Sequence, residues 1–209
     1  CVSLVGTTGS GKTTLSSLIA RFYEPVKGEL RIDGVDYRQR SLDSYREQLG
    51  VILQTPHLFS GTLRENLAYG KLGATDEEIK AALDLIGLGD YAHRLDEQVG
   101  EEGNNFSAGE RQLISFARAL LKDPAILIMD EATSSVDTLA ELQVQQGINR
   151  MIEDRTAIVV AHRLSTIRNC DRILVVDHGK VIEDGSHEEL LKLKGHYHQL
   201  YTQQVRAMQ

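Results

Sequence analysis

The sequence of 209 residues contains no tryptophan, only two cysteines and only three prolines. Cys1 and Cys170 fit neither a disulfide framework nor the spacing of a metal site, which indicates a reducing compartment. No apolar run approaches the roughly 18 to 20 residues that a bilayer-spanning helix needs. The first apolar run, residues 1–5, is too short for a signal peptide. These residues therefore predict neither a membrane span nor a secretory leader.

Charge of one sign is not concentrated anywhere in the chain. The net charge is −7, and acidic and basic residues are interspersed without a charged tail. This balance argues against a general nucleic-acid surface, so we expect no nucleic acid as partner. A content of 41% hydrophobic and 25% charged residues is typical of a soluble globular protein with one large domain or two lobes.

A phosphate-binding loop follows the first apolar run and fits the pattern G-x-x-x-x-G-K-[ST] at every fixed position. It reads Gly6-Thr7-Thr8-Gly9-Ser10-Gly11-Lys12-Thr13. Glycines let the backbone turn its N–H groups toward phosphate oxygens, and the helix predicted over 14–22 adds its positive N-terminal end. Lys12 supplies a charge for the β- and γ-phosphates, and Thr13 a hydroxyl for Mg²⁺. A plain glycine-rich turn would leave Lys12 unexplained, so the loop predicts a nucleoside-triphosphate site.

Polar side chains follow three further apolar strands, predicted over 50–53, 126–129 and 156–161. Gln54 can reach a metal or the attacking water, although a Gln that opens a loop is commonly just solvated. Asp130 and Glu131 divide naturally into a metal ligand and a group facing the attacking water. The alternative is an acidic pair that caps the next helix. His162 stands where a phosphate-sensing or proton-handling group would lie, although a lone histidine is usually structural.

The rest of the chain is predicted from its patterns. Residues 61–122 look helical throughout, with capping boxes at Thr75/Glu78 and Ser107/Glu110. The second box, which contains Gly109, is also a candidate phosphate-binding turn. The remaining predicted elements are a strand over 28–35, helices over 41–49 and 138–152, a hairpin of 172–176 with 180–183, and one amphipathic helix over 188–205.

Taken together, these motifs resemble the nucleotide-binding domain of an ATP-binding cassette (ABC) transporter over nearly the whole chain. The phosphate loop, continued by Thr14, looks like the Walker A motif, and 126–130 looks like Walker B. The other motifs that match are the catalytic glutamate Glu131, the Q-loop Gln54, the switch His162, the D-loop with Asp137, and the signature Phe106-Ser107-Ala108-Gly109-Glu110.

The resemblance implies an α/β P-loop NTPase with a mostly parallel core sheet and an inserted helical subdomain. The core lobe would be about 1–54 and 123–209, and the helical subdomain about 55–122. It implies ATP and Mg²⁺ as cofactors. Thr13, Gln54 and Asp130 would be near the metal, and Glu131 and His162 would be catalytic. The implied nucleotide-binding residues are Gly6, Thr7, Thr8, Gly9, Ser10, Gly11, Lys12, Thr13, Thr14, Gln54, Ser107, Gly109 and Asp137.

The subtype resembles exporters, through residues 54–66, 99–103 and 162–167, although Gln98 replaces a usual glutamate. Such a domain follows a transmembrane domain on the same polypeptide, which would place it at the cytoplasmic face of the cell membrane. The family also has strands and an adenine-stacking aromatic residue before the Walker A motif. We therefore expect structure upstream of Cys1 and assign no adenine platform.

The signature departs from the family's usual Leu-Ser-Gly-Gly-Gln at Ala108 and Glu110. In the family its Ser and second Gly contact ATP held by the opposite subunit. An intact hydrolytic set with an altered signature resembles one half of a heterodimeric exporter. Two alternatives stay open: a stand-alone ATPase subunit of an importer, and a nucleotide-gated clamp without useful hydrolysis.

Overall fold

A six-stranded sheet forms the centre of the protein. The computed structural model describes residues 1–130, 138–153, 155–161 and 164–207. The predicted catalytic residues Glu131 and His162 and the D-loop residue Asp137 lie outside the described residues. The sheet has the order β10-β9-β1-β8-β7-β4 and is parallel except for the β9–β10 pair. Its strands are β1 Val2–Val5, β4 Leu49–Ile52, β7 Ile126–Asp130, β8 Thr156–Val160, β9 Arg172–Asp177 and β10 Lys180–Gly185.

Short continuous apolar runs produce the inner strands, because helices or loops cover both faces of a parallel sheet. In β8, for example, Ala157, Val159 and Val160 are all buried. The register pairs Leu4 of β1 with Val160 of β8, and Val160 with Asp130 of β7. The carboxyl ends of these strands therefore meet at one edge of the sheet, where the Walker A loop begins.

Helices connect the strands, and those predicted from capping boxes begin at the predicted residues. Thr75 and Ser107 both form complete capping boxes, with Glu78 and Glu110 respectively. The helix predicted over 138–152 has those bounds. The helices are α1 Lys12–Ile19, α2 Leu42–Glu47, α3 Leu63–Ala68, α4 Asp76–Leu85, α5 Ala108–Leu121, α6 Thr138–Ile152, α7 Leu164–Arg168, α8 His187–Leu193 and α9 His196–Ala207.

The segment predicted to be helical throughout, 61–122, also contains two short strands. β5 Gly61–Thr62 pairs antiparallel with β6 Gln98–Val99, and 3₁₀ turns cover Gly89–His93 and Glu101–Gly103. Each of these strands has too few residues to show a periodic pattern in the sequence. They are recognised only from their pairing with each other in the structure. α3, α4 and α5 pack on one another in this segment.

Two other predicted elements are divided in the structure. The strand predicted over 28–35 is a small hairpin, β2 Arg31–Ile32 with β3 Val35–Asp36, because Asp33 and Gly34 take positive φ angles of 52° and 77°.

The single C-terminal helix predicted over 188–205 is two helices. Lys194 turns the chain with a φ of 53° between α8 and α9. Glu183 of β10 then accepts hydrogen bonds from the backbone N–H groups of His196 and Tyr197, at 2.6 and 2.8 Å. A carboxylate at this helix start favours a new N-terminus, and amphipathic spacing alone does not reveal it.

The expectation that the two cysteines form no disulfide is wrong. Cys1 and Cys170 are joined by a disulfide with their Cα atoms 4.8 Å apart. The physical reason is the sheet order. Cys170 precedes β9, which pairs with β1 in parallel register, so two residues separated by 169 positions become neighbours. No spacing rule applied to the sequence anticipates that contact.

Across the described ranges, no helix is long and apolar enough to cross a membrane.

Candidate nucleotide-binding site

The loop between β1 and α1 depends on glycine at three positions. Gly9 and Gly11 take φ angles of 81° and 109°, which side-chain-bearing residues rarely adopt. A Cβ atom on Gly6 would lie 2.2 Å from the backbone oxygen of Val176. Backbone conformation therefore requires glycine at positions 9 and 11, and close packing against β9 requires it at position 6.

Lys12 lies inside the loop. Its side-chain Nζ donates hydrogen bonds to the backbone oxygens of Gly6 at 2.8 Å and Thr7 at 2.9 Å. The residue is only 6% exposed. Burial lowers the pKa of Lys12, and the negative charge of Asp130 partly offsets this effect. The loop thus holds a cation at its centre, as an anion-binding loop requires, and among the described residues the carboxylate of Asp130 acts on its charge.

The first turn of α1 presents backbone N–H groups without a side-chain cap. Its N-cap is Gly11, and the first turn contains no acidic residue. By contrast, α3, α4, α5 and α8 all begin with a capping box. Thr13 and Thr14 in this turn are exposed. The helix end therefore retains its positive character for an external anion such as a phosphate group.

The turn between β9 and β10 packs against the Walker A loop. The backbone N–H of Gly179 donates to the backbone oxygen of Ser10 at 2.8 Å. The Cα of Gly179 would lie 3.4 Å from a Cβ on Gly11. The sequence identified the turn but not its contact with the loop, which follows only from the placement of β9 beside β1.

Asp130 and Gln54 lie at the same edge of the sheet as the loop. Asp130 ends β7 and is half-buried, whereas Gln54 is exposed, two residues after β4. With Thr13 they offer one carboxylate, one amide and one hydroxyl. Within the described residues, no group of three or more His, Cys, Asp or Glu side chains forms a metal site. A small set of oxygen ligands of this kind suits Mg²⁺, because this ion keeps several water ligands and completes its coordination with oxygens of the substrate phosphates.

The predicted signature lies at the N-terminus of α5, a separate element of the fold. Ser107 and Ala108 are exposed, and Gly109 is buried. Ser107 Oγ accepts a hydrogen bond from the backbone N–H of Glu110 at 3.2 Å. The Glu110 side chain turns back to accept from the backbone N–H of Ser107 at 2.6 Å. The carboxylate therefore serves the helix start and does not extend into solvent.

The fold and the loop together define a nucleoside-triphosphate-binding protein of the P-loop class. The sequence model of the ABC transporter family matches residues 1–134, more than half of the chain, and the protein therefore belongs to the ABC transporter family. The predicted P-loop fold and the ATPase class are confirmed by this match and by the structural relative described next.

Three similar proteins narrow the subtype. The chain is 50% identical over 200 residues to the uncharacterized ABC transporter ATP-binding protein YknV of Bacillus subtilis (strain 168), covering 94% of this chain and 33% of that protein. It is 48% identical over 209 residues to an ATP-dependent lipid A-core flippase of Syntrophus aciditrophicus (strain SB), covering 98% and 35%. A solved bacterial Atm1-family ABC exporter with ATP bound has a TM-score of 0.88 and 40% identity, covering 97% and 36%.

The chain thus spans about a third of the length of the curated relatives it matches. Its resemblance is to the nucleotide-binding domain of ABC transporters of exporter type. The individual roles of Gln54, Ser107, Gly109 and Asp130 stay predictions.

Proposed function

We propose that this chain is the ATP-hydrolysing domain of a membrane exporter and powers the movement of a substrate by an attached transmembrane domain. The observation that carries the proposal is the position of Lys12, whose ammonium group lies inside a glycine loop with Asp130 in electrostatic reach. The exporter and flippase among the similar proteins favour an exporter over an importer subunit. In this proposal the domain lies at the cytoplasmic face of the membrane, where ATP is available.

The proposed hydrolytic machinery combines described and undescribed residues. Thr13, Gln54 and Asp130 would hold Mg²⁺, which neutralises phosphate charge when bound. Glu131 would polarise the attacking water, and His162 would contact the γ-phosphate. The location of Asp130 at the end of β7 supports this assignment, because Glu131 is the next residue in the chain.

Replacing Glu131 by Gln tests hydrolysis directly. Glu131→Gln keeps the shape of the side chain but removes its charge. We expect ATP to bind with unchanged affinity, while turnover in the full-length native protein falls at least about a hundredfold. Hydrolysis near the wild-type rate would remove Glu131 from the catalytic role. An unmodified protein that binds ATP but never hydrolyses it would favour the non-hydrolytic clamp.

The division into lobes is part of the proposal. All six strands of the main sheet fall within about 1–54 and 123–209, whereas α3, α4 and α5 fall within about 55–122. The signature is in the second group. Exposure of Ser107 and Ala108 at a helix start is consistent with a second nucleotide-binding domain that brings its ATP to this surface.

We further propose that the second domain is a different chain. Ala108 adds a methyl group where a phosphate of the opposite site would approach, and Glu110 replaces the usual neutral glutamine of the signature. A homodimer would carry this altered signature over both ATP molecules. A heterodimer confines it to one site and lets the Walker A loop of this chain face an intact signature.

Expression of the full-length protein alone tests the partner. We expect poor ATP hydrolysis until the second chain is supplied. If the lone chain purifies as a dimer with full, substrate-stimulated activity, the altered signature is simply tolerated and the heterodimer is excluded.

We propose that an apolar groove is the docking surface for the transmembrane domain. A cavity of about 460 Å³ lies between the end of α1, β4, α3 and α5, close to Gln54. Phe59 and Tyr69 on its wall are 48% and 65% exposed, which is unusual for large aromatic side chains. Arg118 lies under both rings, 5.3 and 6.0 Å from their centroids. We assign the groove to the part of the protein beyond this chain, since the similar proteins are about three times as long.

The docking assignment predicts a variant with separable effects. Because Tyr69 is 65% exposed, Tyr69→Ser should lower the free energy of unfolding by no more than about 1.5 kcal/mol, the scale of its ring contact with Phe59. It should also leave ATP affinity unchanged and reduce the stimulation of ATP hydrolysis by transported substrate. Full stimulation in this variant would remove Tyr69 from the docking surface.

A further inference from the structure

The carboxylate of Glu110 is engaged at both of its oxygens. One oxygen accepts the backbone N–H of Ser107 at 2.6 Å, as the capping box requires. The other accepts a hydrogen bond from the phenol hydroxyl of Tyr91. Tyr91 belongs to the 3₁₀ turn Gly89–His93, which is a different element from α5. The altered residue of the signature is therefore held by a contact from outside the motif.

Tyr91 is itself fixed on several sides. It is 9% exposed, and its ring packs against the buried Phe106 with centroids 6.3 Å apart. The guanidinium of Arg94 lies 4.3 Å from the centre of the Tyr91 ring. Arg94 is tied in turn to Glu97, with an N–O distance of 2.6 Å. A ring held in this way has little freedom, so its hydroxyl is aimed at one place.

The titration of the two groups agrees with this geometry. Burial on its own would raise the pKa of Glu110, but the hydrogen bonds from Tyr91 and Ser107 outweigh it and lower that pKa. For Tyr91, burial and the hydrogen bond to Glu110 raise the pKa to about 12. At neutral pH the pair is therefore a neutral phenol that donates to an ionised carboxylate.

A carboxylate at this position has two possible directions. Turned outward, it would add a negative charge beside the exposed Ser107, where we propose that the phosphate of an opposing ATP arrives. Turned inward, it neutralises the N-terminal end of α5 and stabilises the turn that presents Ser107. Two hydrogen bonds hold the carboxylate in the inward direction, one from the Tyr91 hydroxyl and one from the backbone N–H of Ser107 at the start of α5.

We propose that Tyr91 is a positioning residue, whose hydroxyl holds the Glu110 carboxylate inward and so makes the altered signature compatible with phosphate. This inference rests on the proposed function, because it needs ATP to approach Ser107. It also explains how a negative charge in the signature is accommodated without loss of the capping turn. Tyr91 acts through Glu110 and does not itself touch the nucleotide.

The experiment is a double-mutant cycle in the full-length native protein with its native partner, using MgATP as the probe. Tyr91→Phe removes only the hydroxyl and retains the ring contacts with Phe106 and Arg94. Glu110→Gln removes the charge and retains an acceptor for the Ser107 N–H. Tyr45→Phe is the matched control, because it removes a buried phenol hydroxyl that bonds to Ile19 at a distance from the signature.

We expect Tyr91→Phe to increase about tenfold the Kd of MgATP at the site that this signature completes with the partner's Walker A loop, the scale of losing one hydrogen bond to a charged group. In the Glu110→Gln background the same change should have less than about a twofold effect, because no carboxylate is left to release. The increase should also shrink at high salt, which screens the released charge. Tyr45→Phe should leave that Kd unchanged.

Two outcomes would overturn the proposal. If Tyr91→Phe has the same effect with and without the Glu110 charge, its role is only structural. If it has no effect in the wild-type background, the hydroxyl does not position Glu110. Lys12→Ala, measured in parallel, tests the proposed function separately. If the proposed function is wrong, ATP binding stays intact in Lys12→Ala; if only the role of Tyr91 is wrong, ATP binding is lost in that variant.

Discussion

Removing the buried cation of the Walker A loop should separate ATP binding from folding. Lys12 is 6% exposed and donates to the backbone oxygens of Gly6 and Thr7. A unit charge about 4 Å from a phosphate charge contributes roughly 4 kcal/mol at an effective dielectric constant of about 20. That energy corresponds to roughly a thousandfold in Kd. We therefore expect Lys12→Ala to weaken ATP binding by about that factor.

The same substitution should change the nucleotide-free fold much less, because its two effects oppose each other. The variant loses two hydrogen bonds to loop oxygens, each of about 1.5 to 3 kcal/mol for a charged donor. It also relieves the cost of burying a cation, which is visible in the lowered pKa of Lys12. The net change in the free energy of unfolding should stay below about 2 kcal/mol.

Binding of a fluorescent ATP analogue and urea unfolding measure the two quantities in the same preparations. Lys71→Ala is the control, because Lys71 carries an equal charge in a surface ion pair with Glu78, at 2.6 Å. That variant should retain full ATP affinity. Unchanged ATP affinity in Lys12→Ala would refute the assignment of the loop as the nucleotide site. If Lys12→Ala and Lys71→Ala weaken ATP binding equally, the effect of Lys12 comes only from the net charge of the protein.

Two further predictions concern the C-terminal helices. Gly195→Ala places a Cβ 2.0 Å from the Glu183 carboxylate that caps α9, so urea unfolding should show a free energy of unfolding lower by about 1 to 3 kcal/mol. Gly185→Ala is the control, because its nearest contact is at 3.3 Å and it should lower the free energy of unfolding by less. Equal losses in the two variants would contradict the reasoning. Burial, followed by the charge of Arg168, lowers the pKa of His187, so the unfolded chain binds more protons between that pKa and about 6.5. The free energy of unfolding should therefore fall as the pH drops through this range, and His187→Gln should flatten that dependence.

Local patterns predicted the parts of the site that are contiguous in sequence. The Walker A loop is recognisable because its glycines serve backbone angles within eight consecutive residues, as at Gly9 and Gly11. The capping boxes at Thr75 and Ser107 are recognisable because their reciprocal bonds span only three positions. Each of these features is decided by a residue and its immediate neighbours.

Contacts between distant elements were not available from such patterns. The bond from Gly179 to Ser10 and the disulfide between Cys1 and Cys170 both arise from the placement of β9 beside β1. Sequence periodicity predicts that each strand exists but not which strands are neighbours. The division of the C-terminal helix had the same origin, since the capping carboxylate of Glu183 comes from a strand 13 positions away.

The signature shows how the two kinds of information combine. From sequence alone, Glu110 is a charge in the wrong place for a phosphate-binding motif, and its cost depends on where the carboxylate points. The capping box with Ser107 provides one inward partner and was predictable from spacing. Tyr91, 19 positions earlier, provides the second and was not. A substitution in a ligand-binding motif is therefore to be judged with the side chains that pack behind it, because these decide whether the new charge faces the ligand or the protein.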